Sequence, residues 1–353
     1  MDRRLLIVIG VVILLAIPAS LLLASGDLFP KEEEPYYIAV IADQPSAHTT
    51  YVSRSVAGAQ SAMRLSDRVL PEMFISPTSD EADILQEIND ACVLEYNLVF
   101  GPGYNLNEAM EKASHLHPEM FFLTIDGGFT EFGPNFSDIQ FRDNESSMAA
   151  GYVAGMTSES NIIGFLGGYD NLTIQRFYYG FLAGANVASR EKQVEIRVID
   201  VYADSYLDSD KGYELTKQLY GDGADIVFTV AGDTGLGGIE AAKEMGKYVI
   251  GVDVDQNYLA PDNVIFSVVK NIAPVVADVL AGYSEGKYSG TGVISVGYSE
   301  GAMDLVSFTD AVSESVIARE KELTGYIRDG VFAVPSTAEE YKAWSVFMVP
   351  AFT

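Results

Sequence analysis

The chain has 353 residues with 50 acidic against 22 basic side chains, a net charge of −28. Its 48% apolar and 11% aromatic content suffices for the cores of two ordinary domains and excludes global disorder. Such a negative field, unbroken by any Lys/Arg cluster, repels phosphates and excludes nucleic acid as a partner.

The first predicted element is apolar. "MDRR" is followed by "LLIVIGVVILLAIPASLLLAS", residues 5 to 25, which is long enough to cross a bilayer. Arg3 and Arg4 on the short leading side direct residues 27 onward to the outside. The expectation is a signal anchor over residues 1–26, with a cleaved signal as the alternative, and a charged tether over 27–35. The protein is then extracytoplasmic, held to the cell membrane by its N-terminal helix, or secreted if that helix is cleaved.

From Tyr36 strands and helices alternate. "YYIAVIAD" reads as a strand buried on both faces, ending at Asp43, and "SRSVAGAQSAMRLS" as the helix after it. "EMFISP", "NLVFGPG" and "MFFLTIDGG" are further strands, separated by the helices "EADILQEINDACVLEY" and "LNEAMEKASHLHP". A strand then leads into the small-residue helix of "DIQFRDNESSMAAGYVAGMTSES". A second round follows: strands "NIIGFLGG", "VEIRVIDVY", "ADIVFTVAG" and "YVIGVDVDQ", with helices "TIQRFYYGFLAGANVAS", "DKGYELTKQLYGDG" and "GLGGIEAAKEMG" between them. "VIFSVVKNIAPVVADVLAGYSEG", "GVISVGYSEGAMDLVSF" and a helix around "AVSESVIAREKELTG" close the chain. Repeated βα units of this kind make parallel sheets covered on both faces, here in two successive rounds. Ligands of such folds collect at strand carboxyl ends, which points to Asp43, Gly101, Asp126, Gly167, Gly232 and Asp253.

Several chemistries fail on spacing. Gly232, Gly235, Gly237 and Gly238 do not make a GxGxxG fingerprint, and no GxxxxGK[ST] or GxSxG occurs. The single cysteine, Cys92, excludes an internal disulfide and a CxxC centre, and reads as structural. His115 and His117, two apart on a helix, point to different faces and make no metal pair, and the two carboxylates Asp253 and Asp255 alone do not make up a metal-ligand set. No metal and no cofactor are expected. Tyr51 and Tyr206 each follow a strand end beside a carboxylate, one in each round, which suits a flat polar ligand. Asn135, Asn144 and Asn171 head Asn-x-Ser/Thr sequons that read as chance matches.

The segments "FFLTIDGGF", "FRDNESSMAAGYVAG", "IIGFLGGYDNLTIQRFYYGFLAGA", "GDGADIVFTVAGDTGLGGIEAAKE", "VIGVDVDQ" and "SVVKNI" resemble, in order and spacing, the basic membrane protein family. These are extracytoplasmic nucleoside-binding components of ABC transporters. The resemblance covers nearly all of residues 36–310. It implies a type I periplasmic-binding-protein fold, two doubly wound parallel-sheet lobes joined by a hinge. The implied lobes are 36–140 with 267–300, and 141–266 with 301–353. Tyr51 and Tyr206 match the pair that sandwiches the base, and Asp126 the aspartate that reads its edge. Asp253 and Lys270 match sugar-hydroxyl contacts, and Gly232 a backbone contact. The loop "DQPSAHTTY" departs from the family's glycine-rich segment and puts His48 and Thr49 where an Asn–Asp pair is usual, next to Asp43.

The expectation is a solute-binding protein without enzymatic activity. It captures a nucleoside-like small molecule by hinge closure and delivers it to an ABC permease. The alternatives are a sensing ectodomain that uses the same cleft for signalling, and a nucleoside-processing enzyme.

Overall fold

The computed structural model describes residues 34–288 and 291–347. The expected anchor over residues 1–26 lies outside them. Among the described residues no helix is long and apolar enough to cross a membrane.

From Tyr36 on, the described residues form one compact unit built on two six-stranded sheets. The first contains β1 (Tyr36–Asp43), β2 (Val69–Ser76), β3 (Leu98–Gly101), β4 (Phe121–Ile125), β5 (Phe136–Phe141) and β11 (Gly292–Val296). Their order is β11-β5-β4-β3-β1-β2, and every neighbouring pair is parallel. Pro71 inside β2 is tolerated because that strand is an edge. Side chains alternate along β1. Ala39 and Ile41 join Ile84, Ile88 and Met110 on one face, while Ile38 and Val40 face Ala59 and Ala62 on the other. Helices α1 (Thr50–Ala62), α2 (Glu81–Val93) and α3 (Asn107–Leu116) cover those faces.

The second sheet contains β6 (Ile162–Gly167), β7 (Arg197–Tyr202), β8 (Ile226–Val230), β9 (Tyr248–Asp253), β10 (Val264–Lys270) and β12 (Met303–Val306), in the order β12-β10-β9-β8-β6-β7. Edge strand β12 runs antiparallel to β10, a departure from the all-parallel expectation. Helices α4 (Asp143–Thr157) and α5 (Leu172–Lys192) pack as a pair on this lobe, as do α6 (Ser209–Gly221) and α7 (Thr234–Met245). Both pairs approach nearly backbone to backbone. A Cβ on Gly184 would lie 2.0 Å from the Met148 carbonyl oxygen, and one on Gly237 would lie 1.8 Å from that of Ser209. The glycines of "GLGG" therefore serve helix packing. Helix α8 (Ile272–Ser284) packs on α1, α9 (Glu314–Arg328) on α4, and α10 (Ala338–Phe347) on α5.

The lobe boundary expected at residue 267 falls four residues later. Strand β10 pairs along its length with β9, Ser267 opposite Gly251, so the chain leaves the second sheet only after Lys270. An apolar strand carries no mark of which sheet it will join. The chain passes between the sheets three times, at Phe141–Asp143, Lys270–Ile272 and Val296–Met303. Arg142 links the first and third passages: its guanidinium donates to Glu145 Oε1 (2.6 Å), Glu300 Oε2 (2.5 Å) and Ser299 Oγ (2.7 Å). Asn271 links the second to the third, through its backbone N–H to the Ala302 carbonyl (2.8 Å) and its amide to that of Gly301 (2.7 Å).

Candidate functional site

The carboxyl ends of both sheets face a shared cavity of about 160 Å³. Seven of the nine expected binding residues line it: Thr49, Tyr51, Asp126, Tyr206, Gly232, Asp253 and Lys270. Each is placed by a strand end or the turn after it. Thr49 caps α1, its hydroxyl accepting the Val52 N–H, and so fixes Tyr51 in the first helical turn. Asp126 (φ +52°), Gly232 (φ +56°) and Asp253 (φ +66°) all adopt the left-handed conformation just past β4, β8 or at the end of β9. For the two aspartates this is local strain that turns the carboxylate off the sheet and into the cleft.

Asp43 and His48 do not line the cavity. Asp43 is fully buried and accepts from Ser46 Oγ, from Ser79 Oγ at 2.6 Å and from Asn105 Nδ2 at 3.1 Å. It therefore holds together two loops whose Ser46 and Asn105 do line the wall. His48 is exposed at the top of its loop, because Thr49 takes the capping position beside it.

Beneath the cavity lies a buried charge network. Lys270 Nζ pairs with Asp126 Oδ2 at 2.6 Å and Asp143 Oδ1 at 2.8 Å, while Arg176 approaches both carboxylates at 3.6 Å. The ammonium sits 4.9 Å from the ring centres of Phe141 and Phe177 and 5.8 Å from that of Tyr51. Burial alone would lower Lys270, but Asp126, Asp143 and Asp253 outweigh it and hold the ammonium above its ordinary value. Burial also works against Asp126, but Lys270 and Arg176 prevail and keep it ionised, below the usual range. Asp143 shares the same two cations, and its burial pushes it up to about 7.

Asp126 has little capacity left. It accepts from Lys270, from the Tyr51 hydroxyl at 2.9 Å and from the Phe141 N–H at 3.1 Å. Burial and the Asp126 charge in turn drive the Tyr51 phenol well above its ordinary value. Asp253 is the opposite case, since among the described residues no hydrogen bond reaches its carboxylate. Burial raises it, and Asp126 and Asp233 add to the rise against Lys270. It is an acceptor that lines the cavity and, among the described residues, has no donor.

Sequence reasoning missed several wall residues, namely Tyr104, Tyr169, Asn171, Phe177 and Asp233. The signal was available for the polar ones. "GPGYN", "GGYDN" and "AGD" follow β3, β6 and β8 as directly as Asp126 follows β4. Asn171 caps α5 through Ile174 N–H and donates to the Tyr206 hydroxyl at 3.1 Å. Arg176 and Asp143 carried no such signal, because a helix-borne partner to a strand-end charge has no fixed spacing.

Asp255 accepts from Ser307 Oγ (2.5 Å) away from Asp253, His117 bonds Asn89, and no group of three potential metal ligands occurs among the described residues. Cys92 is half-buried, its thiol pushed up to about 11 by burial and by Glu119. The amides of Asn135 and Asn144 are spent on buried carbonyls, those of Ser114, His117 and Met120 for Asn135 and that of Val334 for Asn144.

Residues 39–333 match the family model Bmp, described as ABC transporter substrate-binding protein PnrA-like. The chain is 32% identical over 276 residues to the ABC transporter nucleoside-binding protein BmpA of Lactococcus lactis subsp. cremoris, covering 73% of this chain and 77% of that one. To basic membrane protein A1 of Borrelia garinii subsp. bavariensis it is 30% identical over 291 residues, 80% and 85% of the two chains. Its fold resembles an ABC transporter solute-binding protein of Aeropyrum pernix K1, with a TM-score of 0.74 at 20% identity over 90% of this chain and 98% of that one. With its α/β lobes, its shared cavity and a family match over nearly all of the described residues, the chain belongs to the PnrA-like family of ABC transporter substrate-binding proteins.

Proposed function

We propose that the protein is an extracytoplasmic receptor that captures a nucleoside-like solute between its lobes by hinge closure and presents it to an ABC permease. The observation that carries this reading is the convergence of Tyr51, Tyr206, Asp253 and Lys270 on one cavity bordered by both sheets. Aromatic rings offer faces for a base, and the open Asp253 carboxylate suits a pair of adjacent hydroxyls. Lys270 keeps donor capacity toward the ligand while it offsets the carboxylates around it. Asp126 is read differently from the family pattern: with three protein donors on it, its main task is to hold Lys270 and Tyr51. The named nucleoside-binding relative supports the ligand class. The three passages between lobes, tied together by Arg142 and Asn271, suit a hinge.

The test is the thermal midpoint of the full chain, in mild detergent, across nucleosides, free bases, sugars and amino acids, with calorimetry on each hit. Binding to the folded state raises the midpoint by mass action. A shift with nucleosides alone supports the reading. A shift with another class and none with nucleosides ends it, and points to the loop at Pro45–Thr49 as the element that changed the ligand.

A further inference from the structure

Three tyrosines meet where the lobes approach one another at the cavity. Tyr104, in the first lobe, lies stacked on Tyr169 of the second, with ring centres 5.0 Å apart and planes at 20°. The same ring meets Tyr206 edge-on at 5.6 Å and 76°, and Tyr169 meets Tyr206 at 5.0 Å and 67°. All three line the cavity.

The two sides of this contact are built differently. Tyr169 and Tyr206 form a preassembled platform. Tyr206 lies against Gly168, where a Cβ would come within 2.1 Å of its ring, and its hydroxyl accepts from Asn171, the cap of α5. Tyr104 stands on a single 3-10 turn whose neighbours are fixed: Asn105 donates to Asp43, and Leu106 is fully buried. Gly103, at φ +140°, makes the bend that only glycine adopts readily. Tyr104 is 45% exposed and its hydroxyl makes no hydrogen bond among the described residues, so the platform is what holds its ring.

We propose that Tyr104 is a retention residue: its stack on Tyr169 is an interlobe clasp that forms on closure and sets the rate at which a captured ligand leaves. This rests on the capture reading above. A contact made only between closed lobes contributes nothing to first encounter. It must be broken before the cleft can open, so it acts on dissociation.

The experiment is stopped-flow binding of a nucleoside to the full chain with Tyr104→Ala, Tyr104→Phe, Tyr169→Ala and the Tyr104→Ala/Tyr169→Ala pair. Tyr104→Ala should dissociate about tenfold faster, the scale of one lost aromatic pair with its buried area, while association stays within about threefold of the parent. Tyr104→Phe keeps the stack and should match the parent. The pair should dissociate no faster than the faster single variant, since both remove one contact. Equal dissociation rates in the parent and Tyr104→Ala overturn the clasp and leave nucleoside capture standing. If the parent binds no nucleoside, the capture reading falls, and the clasp is decided by spin labels on Ala82→Cys and Gln218→Cys in a Cys92→Ser background. A longer interlobe distance with Tyr104→Ala supports it, and an unchanged distance overturns it.

Discussion

Asp253 and Lys270 sit at neighbouring strand ends but do unlike work. Asp253 has no donor among the described residues, so Asp253→Asn and Tyr206→Ala are each expected to weaken nucleoside binding by roughly 1–3 kcal/mol, read by calorimetry. Unchanged affinity in both variants rules out the assigned contacts. Lys270→Met should instead unfold the site, because it strands Asp126 and Asp143 in the interior; a loss of about 3–5 kcal/mol in urea denaturation is expected. Elsewhere, Glu320 on α9 is buried, with Asp304 adding to the effect of burial and Lys321, Thr324 and Arg328 opposing it, and its carboxyl rises from 4.5 to about 7. The native state then holds this proton more tightly than the unfolded chain, so stability falls as pH climbs from about 4.5 to 7. Glu320→Gln, neutral throughout, should gain about 1–3 kcal/mol on the parent across that window and no more above it. Parallel urea midpoints for the two proteins from pH 4.5 to 7 would refute this. At this scale the sequence reveals strand-end residues, because a carboxylate or tyrosine after an apolar run must sit at the sheet's edge. It conceals direction: Asp43 ends its strand as Asp126 does, yet turns inward to loop hydroxyls, and only the left-handed backbone at Asp126 and Asp253 separates the cases.

Helix pairs explain what the glycine patterns are for. Along α4 and α5, Gly151, Gly180 and Gly184 each meet a backbone carbonyl of the facing helix within 2.3 Å of a hypothetical Cβ. Gly184→Ala must push the helices apart and should cost about 1–3 kcal/mol or more in the urea midpoint. Gly325 in α9 meets nothing within 4 Å, so Gly325→Ala should stabilise by about 0.5–1 kcal/mol. Equal effects at the two positions would show that the close approach is not what these glycines serve. Elements of this kind were legible because buried parallel strands are unbroken apolar runs and their helices keep a 3.6 period. Less legible was "GVISVGYSEGAMDLVSF", one stretch in sequence but two strands in different sheets, β11 and β12. The split expected between residues 300 and 301 came from the family resemblance, since nothing local announces that Gly297 and Gly301 take the chain from one sheet to the other.

Across the whole molecule the net charge of −28 sets a self-repulsion that the fold must bear. Raising KCl from about 0.05 to 0.5 M shortens the Debye length severalfold, so the thermal midpoint should rise; a flat or falling midpoint would mean that local ion pairs dominate. The two-lobed plan follows from the repeated βα rounds, whereas the exact passages do not, as β10 showed. Those passages bear on synthesis. The first sheet lacks its edge strand until Gly292–Val296 has emerged, and α1 lacks its partner α8 until residue 284. The second sheet waits in turn for Met303–Val306. A chain leaving the ribosome therefore cannot complete the first sheet before Val296, or the second before Val306, has been made.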